Sequence, residues 1–254
     1  MPFIKYIQSI FNFFGIRLSK YQYQPNMVFA NLHLKKIKKR SVIFDIGANI
    51  GSITCNYLEE LSPRLIHAFE LNDEAFQILK TKYSNNTRVI LNNCAVGEKK
   101  GTKKLNYTLK SGNSSFYKLN PKSKWINEKA TIYKVKPEQY TFKKKNSKII
   151  TIDDYVKKNK IKTIDLMKID TQGFEANVLK GSKNSLKKII KNIELEIMLD
   201  DCYEIKTSFY EIEKILDPFN FKLIGLYSNK RDIFEKSNFG AFVFYSKKLI
   251  KKRI

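Results

Sequence analysis

From residue 41 onward the chain alternates between short apolar runs and longer stretches whose apolar residues recur every three or four positions. The runs at 41–46, 65–69, 89–91, 163–169, 192–198 and 222–227 read as strands, and the stretches at 52–60, 73–82, 153–158, 174–179 and 208–216 as helices. Strand and helix alternating at this pitch predict a parallel sheet with helices on both faces. The final run, 239–245, follows its predecessor with no helix between, so it is expected to enter antiparallel, by a hairpin. Residues 101–150 break the rhythm. Tyr107, Tyr117, Trp125, Tyr133 and Tyr140 are scattered there among lysines, and the segment is read as β-hairpins or an insertion covering the substrate over the strand ends.

Ahead of this pattern, Ile4, Ile7, Phe11, Phe14 and Leu18 recur at spacings of three and four, with Lys5, Gln8, Ser9 and Asn12 opposite. An amphipathic helix is predicted over 3–18. Two readings stay open: it packs across the main domain, or it lies on an anionic membrane surface, helped by Lys35, Lys36, Lys38, Lys39 and Arg40. The organisation expected is therefore an extension at 1–40 and one domain at 41–254.

Composition narrows the class. With 254 residues and 43% hydrophobic content, the chain has apolar material enough for one sizeable core, which excludes intrinsic disorder as its main state. The run at 6–16 contains Gln8, Ser9 and Asn12 and falls short of the roughly 20 apolar residues of a spanning helix. Cys55, Cys94 and Cys202 form no paired spacing, so neither a disulfide framework nor a metal site is expected, and a reducing cytoplasm fits best. The 48 basic against 24 acidic residues, a net charge of +24, raise a nucleic-acid partner. Six of the 48 are Arg, whereas bidentate reading of phosphates and base edges favours Arg, so nucleic acid is not the expected partner. Lysine with abundant Ile and Asn is what A/T-rich codons produce, and genome composition is taken as the larger source of the charge.

The chemistry concentrates where strands end. DIGANIG, 45–51, follows the first strand and opens the first helix. Gly47 suits a tight turn, and Gly51 permits close approach of a ligand or of the next helix. The spacing is not that of a dinucleotide fingerprint, and Asp45 would repel a pyrophosphate. A cationic ligand with free ribose hydroxyls is favoured instead, a description of S-adenosylmethionine. Glu70 ends the second strand, nineteen residues past Gly51, where an acid accepts hydrogen bonds from ribose hydroxyls. Asn93, Cys94 and Ala95, after the third strand, are placed beside the adenine. In KIDTQGFEANVLKG, 168–181, Asp170 ends a central strand next to the first, close to a transferable methyl group. Glu194 and Glu196 alternate onto one side of the following strand, and neighbouring buried acids can make a general base. Glu175 is read as a helix cap, and His67, mid-strand, as a structural residue.

DIGANIG, AFE, CAVGEKKG, SGNSS, TIDDYV, LMKIDTQGFEANVLKG and IELE, in this order over about 41–245, resemble the FkbM family of S-adenosylmethionine-dependent methyltransferases. The resemblance implies a class I methyltransferase fold, a seven-stranded mostly parallel sheet with an antiparallel last strand, and O-methylation of a sugar, glycan or small metabolite. It carries cofactor binding onto Asp45, Gly47, Ala48, Asn49, Gly51 and Glu70, and places Asp170 at the active centre with Glu196 as the other candidate base. Asn113, Ser114 and Ser115, with Gln172, are the candidate substrate contacts. The chain departs from the family at Gln172, where many relatives have an acid, and at Gly240, where relatives often have Asp. An RNA methyltransferase, or a non-catalytic membrane-surface protein retaining the fold, are the alternatives.

Overall fold

The computed structural model describes residues 37–228 and 240–247. The helix predicted over 3–18 lies outside the described residues. In chain order the strands are β1 (Val42–Ile46), β2 (Leu65–Phe69), β3 (Val89–Asn92), β4 (Ala95–Val96), β5 (Gly101–Thr108), β6 (Thr141–Ile150), β7 (Leu166–Ile169), β8 (Asn192–Met198), β9 (Phe221–Ser228) and β10 (Gly240–Lys247). The α-helices are α1 (Ser52–Leu61), α2 (Asp73–Tyr83), α3 (Lys124–Tyr133), α4 (Ile152–Lys158), α5 (Glu175–Lys180), α6 (Lys183–Lys188) and α7 (Phe209–Leu216).

Seven strands form one sheet in the order β3-β2-β1-β7-β8-β10-β9. β1 pairs parallel with β2 and β7, and β7 with β8, while β10 inserts antiparallel between β8 and β9, as the missing crossover helix predicted. A second sheet, β4-β6-β5, stands beside it. Residues 101–150 thus contribute an antiparallel pair, β5 and β6, but enclose a helix, α3, that was not predicted. The hydroxyl of Ser123 caps α3 by accepting from the Ile126 N–H, and its buried face carries Trp125, Ile126 and Ala130. Strand β4 and helix α6 were also missed, because each is too short to show a period.

The central strands are apolar on both faces, as a sheet covered twice requires. Phe44, Ile46, Met167, Ile169, Ile193 and Leu195 pack with Val178, Leu179 and Leu186 from α5 and α6 on one side. Ile43 and Leu166 pack with Tyr57 and Leu61 of α1 on the other. His67 is structural as expected: its ring stacks near Phe44, its Nδ1 meets the Tyr155 hydroxyl at 2.9 Å, and burial lowers its pKa to about 4.

One row of this sheet is charged. Asp45 of β1 stands opposite Lys168 of β7, and Lys168 opposite Glu194 of β8. Asp45 is 0% exposed and Lys168 2%. The ammonium lies 3.3 Å from the Asp45 carboxylate and donates to the Gly47 carbonyl at 2.9 Å, while Thr54 of α1 donates to the other Asp45 oxygen at 2.6 Å. Tyr57 donates to Glu194 at 2.9 Å. Burial by itself would lower the pKa of Lys168, but the facing carboxylates of Asp45 and Asp170 outweigh it and raise the value.

Removing one member of a buried pair strands the other's charge. Lys168→Met is therefore expected to cost about 3–5 kcal/mol of stability, read as a lower urea midpoint, with part recovered when Asp45→Asn is added.

Candidate active site

The C-terminal ends of β1, β2, β7 and β8 open into a cavity of about 440 Å³, which the loop at 110–116 and helix α3 close from above. Its floor is built by close backbone approach. Gly47 has φ +77°, and a Cβ there would fall 1.8 Å from the Asp170 carbonyl oxygen, so no other residue fits between the ends of β1 and β7. The N–H groups of Gly47 and Ala48 both donate to the Phe69 carbonyl at 3.0 Å, which folds DIGANIG back over β2. That fold delivers the Asn49 N–H to Glu70 Oε2 at 2.7 Å, and the Asn72 N–H reaches Oε1 at 2.6 Å. Burial pushes the Glu70 carboxyl up to about 7, although the two N–H groups pull it down.

Of the expected cofactor residues, Gly47, Asn49, Glu70, Cys94 and Ala95 line this cavity. The others sit behind it. Asp45 belongs to the buried row under α1, where it meets Lys168 and Thr54 and does not line the cavity. Ala48 is buried in a cluster with Leu79 and Tyr83. Gly51, at φ +83°, makes room for α2: a Cβ there would strike the Tyr83 ring at 2.4 Å, so of its two expected uses the packing of the next helix is the one realised. Asn93 is exposed and donates to the Glu70 carbonyl at 3.0 Å, tying the ends of β2 and β3 together.

Asp170, Gln172 and Glu196 form a cluster at the ends of β7 and β8. Gln172 Nε2 donates to Asp170 Oδ1 at 2.7 Å and to Glu196 Oε2 at 2.9 Å. The Tyr203 hydroxyl stands 2.9 Å from both Gln172 Oε1 and the Asn113 carbonyl. Gln172 holds a left-handed backbone, φ +56°, and the Ser115 hydroxyl donates to its carbonyl at 2.7 Å. A non-glycine residue in this region costs about 1–3 kcal/mol and persists where surrounding bonds over-determine it. Glu196 is buried and its carboxyl is raised well above the ordinary range, by desolvation first and the Asp170 charge second. Asp170 is the more open of the two, and Lys168 reaches its Oδ2 at 3.4 Å.

Asn113, Ser114 and Ser115 line the cavity, but their side-chain oxygens are already bonded within the protein. Asn113 Oδ1 accepts from Tyr140 at 3.1 Å, and Ser114 Oγ accepts from Asn72 Nδ2 at 3.2 Å. They brace the covering loop, where free hydrogen-bonding groups for a substrate were expected. Glu175 caps the 171–175 turn: its Oε1 accepts the Thr171 and Gly173 N–H groups at 3.1 and 3.0 Å. Trp125, one of the aromatics of the insertion expected to cover the substrate, lines the cavity, whereas Lys168 and Tyr203 were missed. A lone lysine in the four-residue strand LMKI was a readable signal for Lys168. Tyr203 carries no local signal, since a long loop brings it to Gln172. Among the described residues no group of three or more His, Cys, Asp or Glu is placed to hold a metal ion, and no helix is long and apolar enough to cross a membrane.

Comparison with known proteins gives the family and the fold. Methyltransferase FkbM from Methylobacillus flagellatus KT superposes with a TM-score of 0.51 at 14% identity, over 82% of this chain and 44% of that one. The chain thus spans less than half the length of that protein, and the likeness is one of fold. An rRNA methylase from Streptococcus thermophilus gives 0.46 at 11% identity, over 90% and 99% of the two chains. M. capricolum TrmK, solved with S-adenosyl-homocysteine, gives 0.46 at 13% identity, over 87% and 68%. No curated protein matches the chain. The methyltransferase FkbM domain matches residues 45–223, most of the sheet and every residue of the cavity floor, and the chain belongs to the FkbM family of S-adenosylmethionine-dependent methyltransferases.

Proposed function

We propose that this chain transfers a methyl group from S-adenosylmethionine to a hydroxyl of a sugar, glycan or small metabolite. The observation that carries the reading is the Asp170–Gln172–Glu196 cluster, which opens into the same cavity as Glu70 and the DIGANIG turn. The donor set suits the cofactor. Carboxylates in the cavity favour a cation and accept from hydroxyls, and Cys94, whose thiol burial pushes up to about 11, offers a neutral, soft wall for a base. When bound, S-adenosylmethionine supplies a methyl group activated by its sulfonium.

The chain's own part is positioning and proton handling. Glu70 Oε1 and Oε2, pre-aimed by two backbone N–H groups, hold the ribose hydroxyls, and Cys94 and Ala95 flank the adenine. Asp170, anchored through Oδ1 by Gln172, takes the acceptor's hydroxyl proton as oxygen approaches the methyl carbon. Glu196, biased by burial toward its neutral form, withdraws charge from beside Asp170. Gln172 contributes what an acid at its position would not: a donor that satisfies both carboxyl groups without adding a further negative charge beside Asp170.

Comparing glycans and metabolites of cells with and without the gene, for a mass difference of about 14 Da, identifies the acceptor. Asp170→Asn keeps the shape but accepts no proton at neutral pH. Its turnover on that acceptor is expected to fall about 10²–10⁴-fold while cofactor affinity changes less than about tenfold, measured by kinetics and calorimetry. Wild-type turnover in this variant would remove Asp170 from the chemistry, and loss of affinity alongside rate would reduce Asp170 to a positioning role.

Glu70 sets a pH dependence. Its folded pKa of about 7 lies above the ordinary 4.5, so the apo protein binds the extra proton and is relatively stabilised at low pH; that contribution is lost as pH rises from 4.5 through about 7. Ribose hydroxyls favour the ionised form. Cofactor affinity should therefore rise between pH 6 and 8, with a proton released on binding at the lower pH. Glu70→Gln should abolish both effects and weaken binding at pH 8 about ten- to a hundredfold, seen by calorimetry in buffers of different ionisation enthalpy.

A further inference from the structure

The cavity has two halves. Gly47, Glu70 and Cys94 line it from the side of β1, β2 and β3, whereas Asp170, Gln172 and Glu196 line it from the ends of β7 and β8. In the sheet order β3-β2-β1-β7-β8 these two groups stand on opposite sides of the β1–β7 boundary. Helix α3 lies over the second half. Its Trp125 packs in one cluster with Met198, two residues beyond Glu196 at the end of β8, and with Tyr203, the partner of Gln172.

Trp125, Glu128 and Lys129 all line the cavity from α3. Their spacings of three and four put them on one face of the helix. The Lys129 ammonium lies 5.7 Å from the centre of the Trp125 ring, over its face, so the helix's own indole engages that charge. Glu128 is exposed, and its ion pair with Lys124, at 3.7 Å, is open to solvent on both sides, a kind that is worth little. Its carboxylate is therefore available to a ligand. The covering loop offers less, because the side-chain oxygens of Asn113, Ser114 and Ser115 are bonded within the protein. Contacts to an acceptor beside Asp170 thus fall to the face of α3.

That face selects a class of molecule. The indole gives an apolar ring surface with a negative face, which suits C–H groups, and Glu128 with Asp170 accepts from hydroxyls. A sugar ring carries both, a C–H face and hydroxyls along its edge. An acidic group on the acceptor would meet Glu128 and Asp170 at like charge. Lys110 also lines the cavity, and a charged sugar in the test decides whether its ammonium reverses this preference.

We propose that α3 is the acceptor-recognition helix, with Trp125 packing against the ring of an uncharged sugar and Glu128 accepting from its hydroxyls. The proposal rests on the methyltransferase reading above. Trp125 is the chain's single tryptophan, so its emission reports on this wall alone. The test uses the full chain saturated with S-adenosylhomocysteine. Methyl glucoside, methyl galactoside and methyl mannoside are the neutral probes, with methyl glucuronide as a charged sugar and catechol as a flat ring without sugar stereochemistry, each followed by Trp125 emission and by calorimetry. At least one neutral glycoside is expected to shift the emission saturably and to bind more tightly than the glucuronide or catechol. Glu128→Gln keeps the shape of the side chain but loses its charge, and should weaken that binding about tenfold, with the melting temperature and S-adenosylhomocysteine affinity unchanged. Unchanged emission with all three neutral glycosides, tighter binding of the glucuronide or catechol, or wild-type affinity in Glu128→Gln overturns the proposal. Failure of the wild-type chain to bind S-adenosylhomocysteine is a separate result, which removes the methyltransferase reading and the acceptor site with it.

Discussion

A lysine ammonium buried in the centre of the sheet is the constraint on which the site depends. Lys168 must be neutralised where it stands, and its neighbours in register, Asp45 and Glu194, are carboxylates on the adjoining strands. A slip of one residue in the β1–β7 pairing would turn Lys168 and Asp45 into the apolar face and destroy both the ion pair and the core. The charged row therefore pins the register. Two residues beyond Lys168, on the same side of the sheet, comes Asp170, and the ammonium that pairs with Asp45 also touches Asp170 and the Gly47 carbonyl. One buried charge thus holds the DIGANIG turn and Asp170 in a common frame.

The second constraint is the covering loop. Ser111 donates to Asn49 at 2.9 Å, Asn72 to Ser114 at 3.2 Å, and Ser115 to the Gln172 carbonyl at 2.7 Å. Each bond joins the loop to a different strand end. The small polar residues of SGNSS work as braces, so the cavity's shape is held by the same bonds that hold its lid. Gln172, in a left-handed backbone conformation, is locked from three sides, by Ser115, by Tyr203 and by the two carboxylates. This arrangement gives a physical sense to the departure from an acidic residue at that position. A third carboxylate between Asp170 and a buried Glu196 would raise the repulsion that the amide instead absorbs by donating two hydrogen bonds.

Much of the architecture was legible before any coordinates. Strand–helix alternation, the absent last crossover and the glycine turn after the first strand are local or periodic signals, and each corresponds to an observed element. Where the signal was short it failed: β4 spans two residues, α6 six, and α3 was hidden in a segment whose aromatics and lysines obey no single period. The residues of the site divide in the same way. Gly47, Glu70, Asp170 and Glu196 sit at strand ends, and in an open parallel sheet strand ends are where ligands bind.

By itself, the sequence determined which residue types stand at each strand terminus, because strand and helix periods are written in near neighbours. It did not determine which of them face the cavity. Asp45, Ala48 and Gly51 share one motif with Gly47 and Asn49, yet the first three are spent on Lys168, on a hydrophobic cluster and on the Tyr83 ring. Tyr203 reaches Gln172 from 31 residues away, and Ser115 from 57. Such assignments depend on partners brought together from distant parts of the chain. Only the tertiary structure decides whether a polar side chain is already satisfied by the protein or left open to a ligand, since burial and hydrogen-bond pairing belong to the packed whole and not to any segment of it.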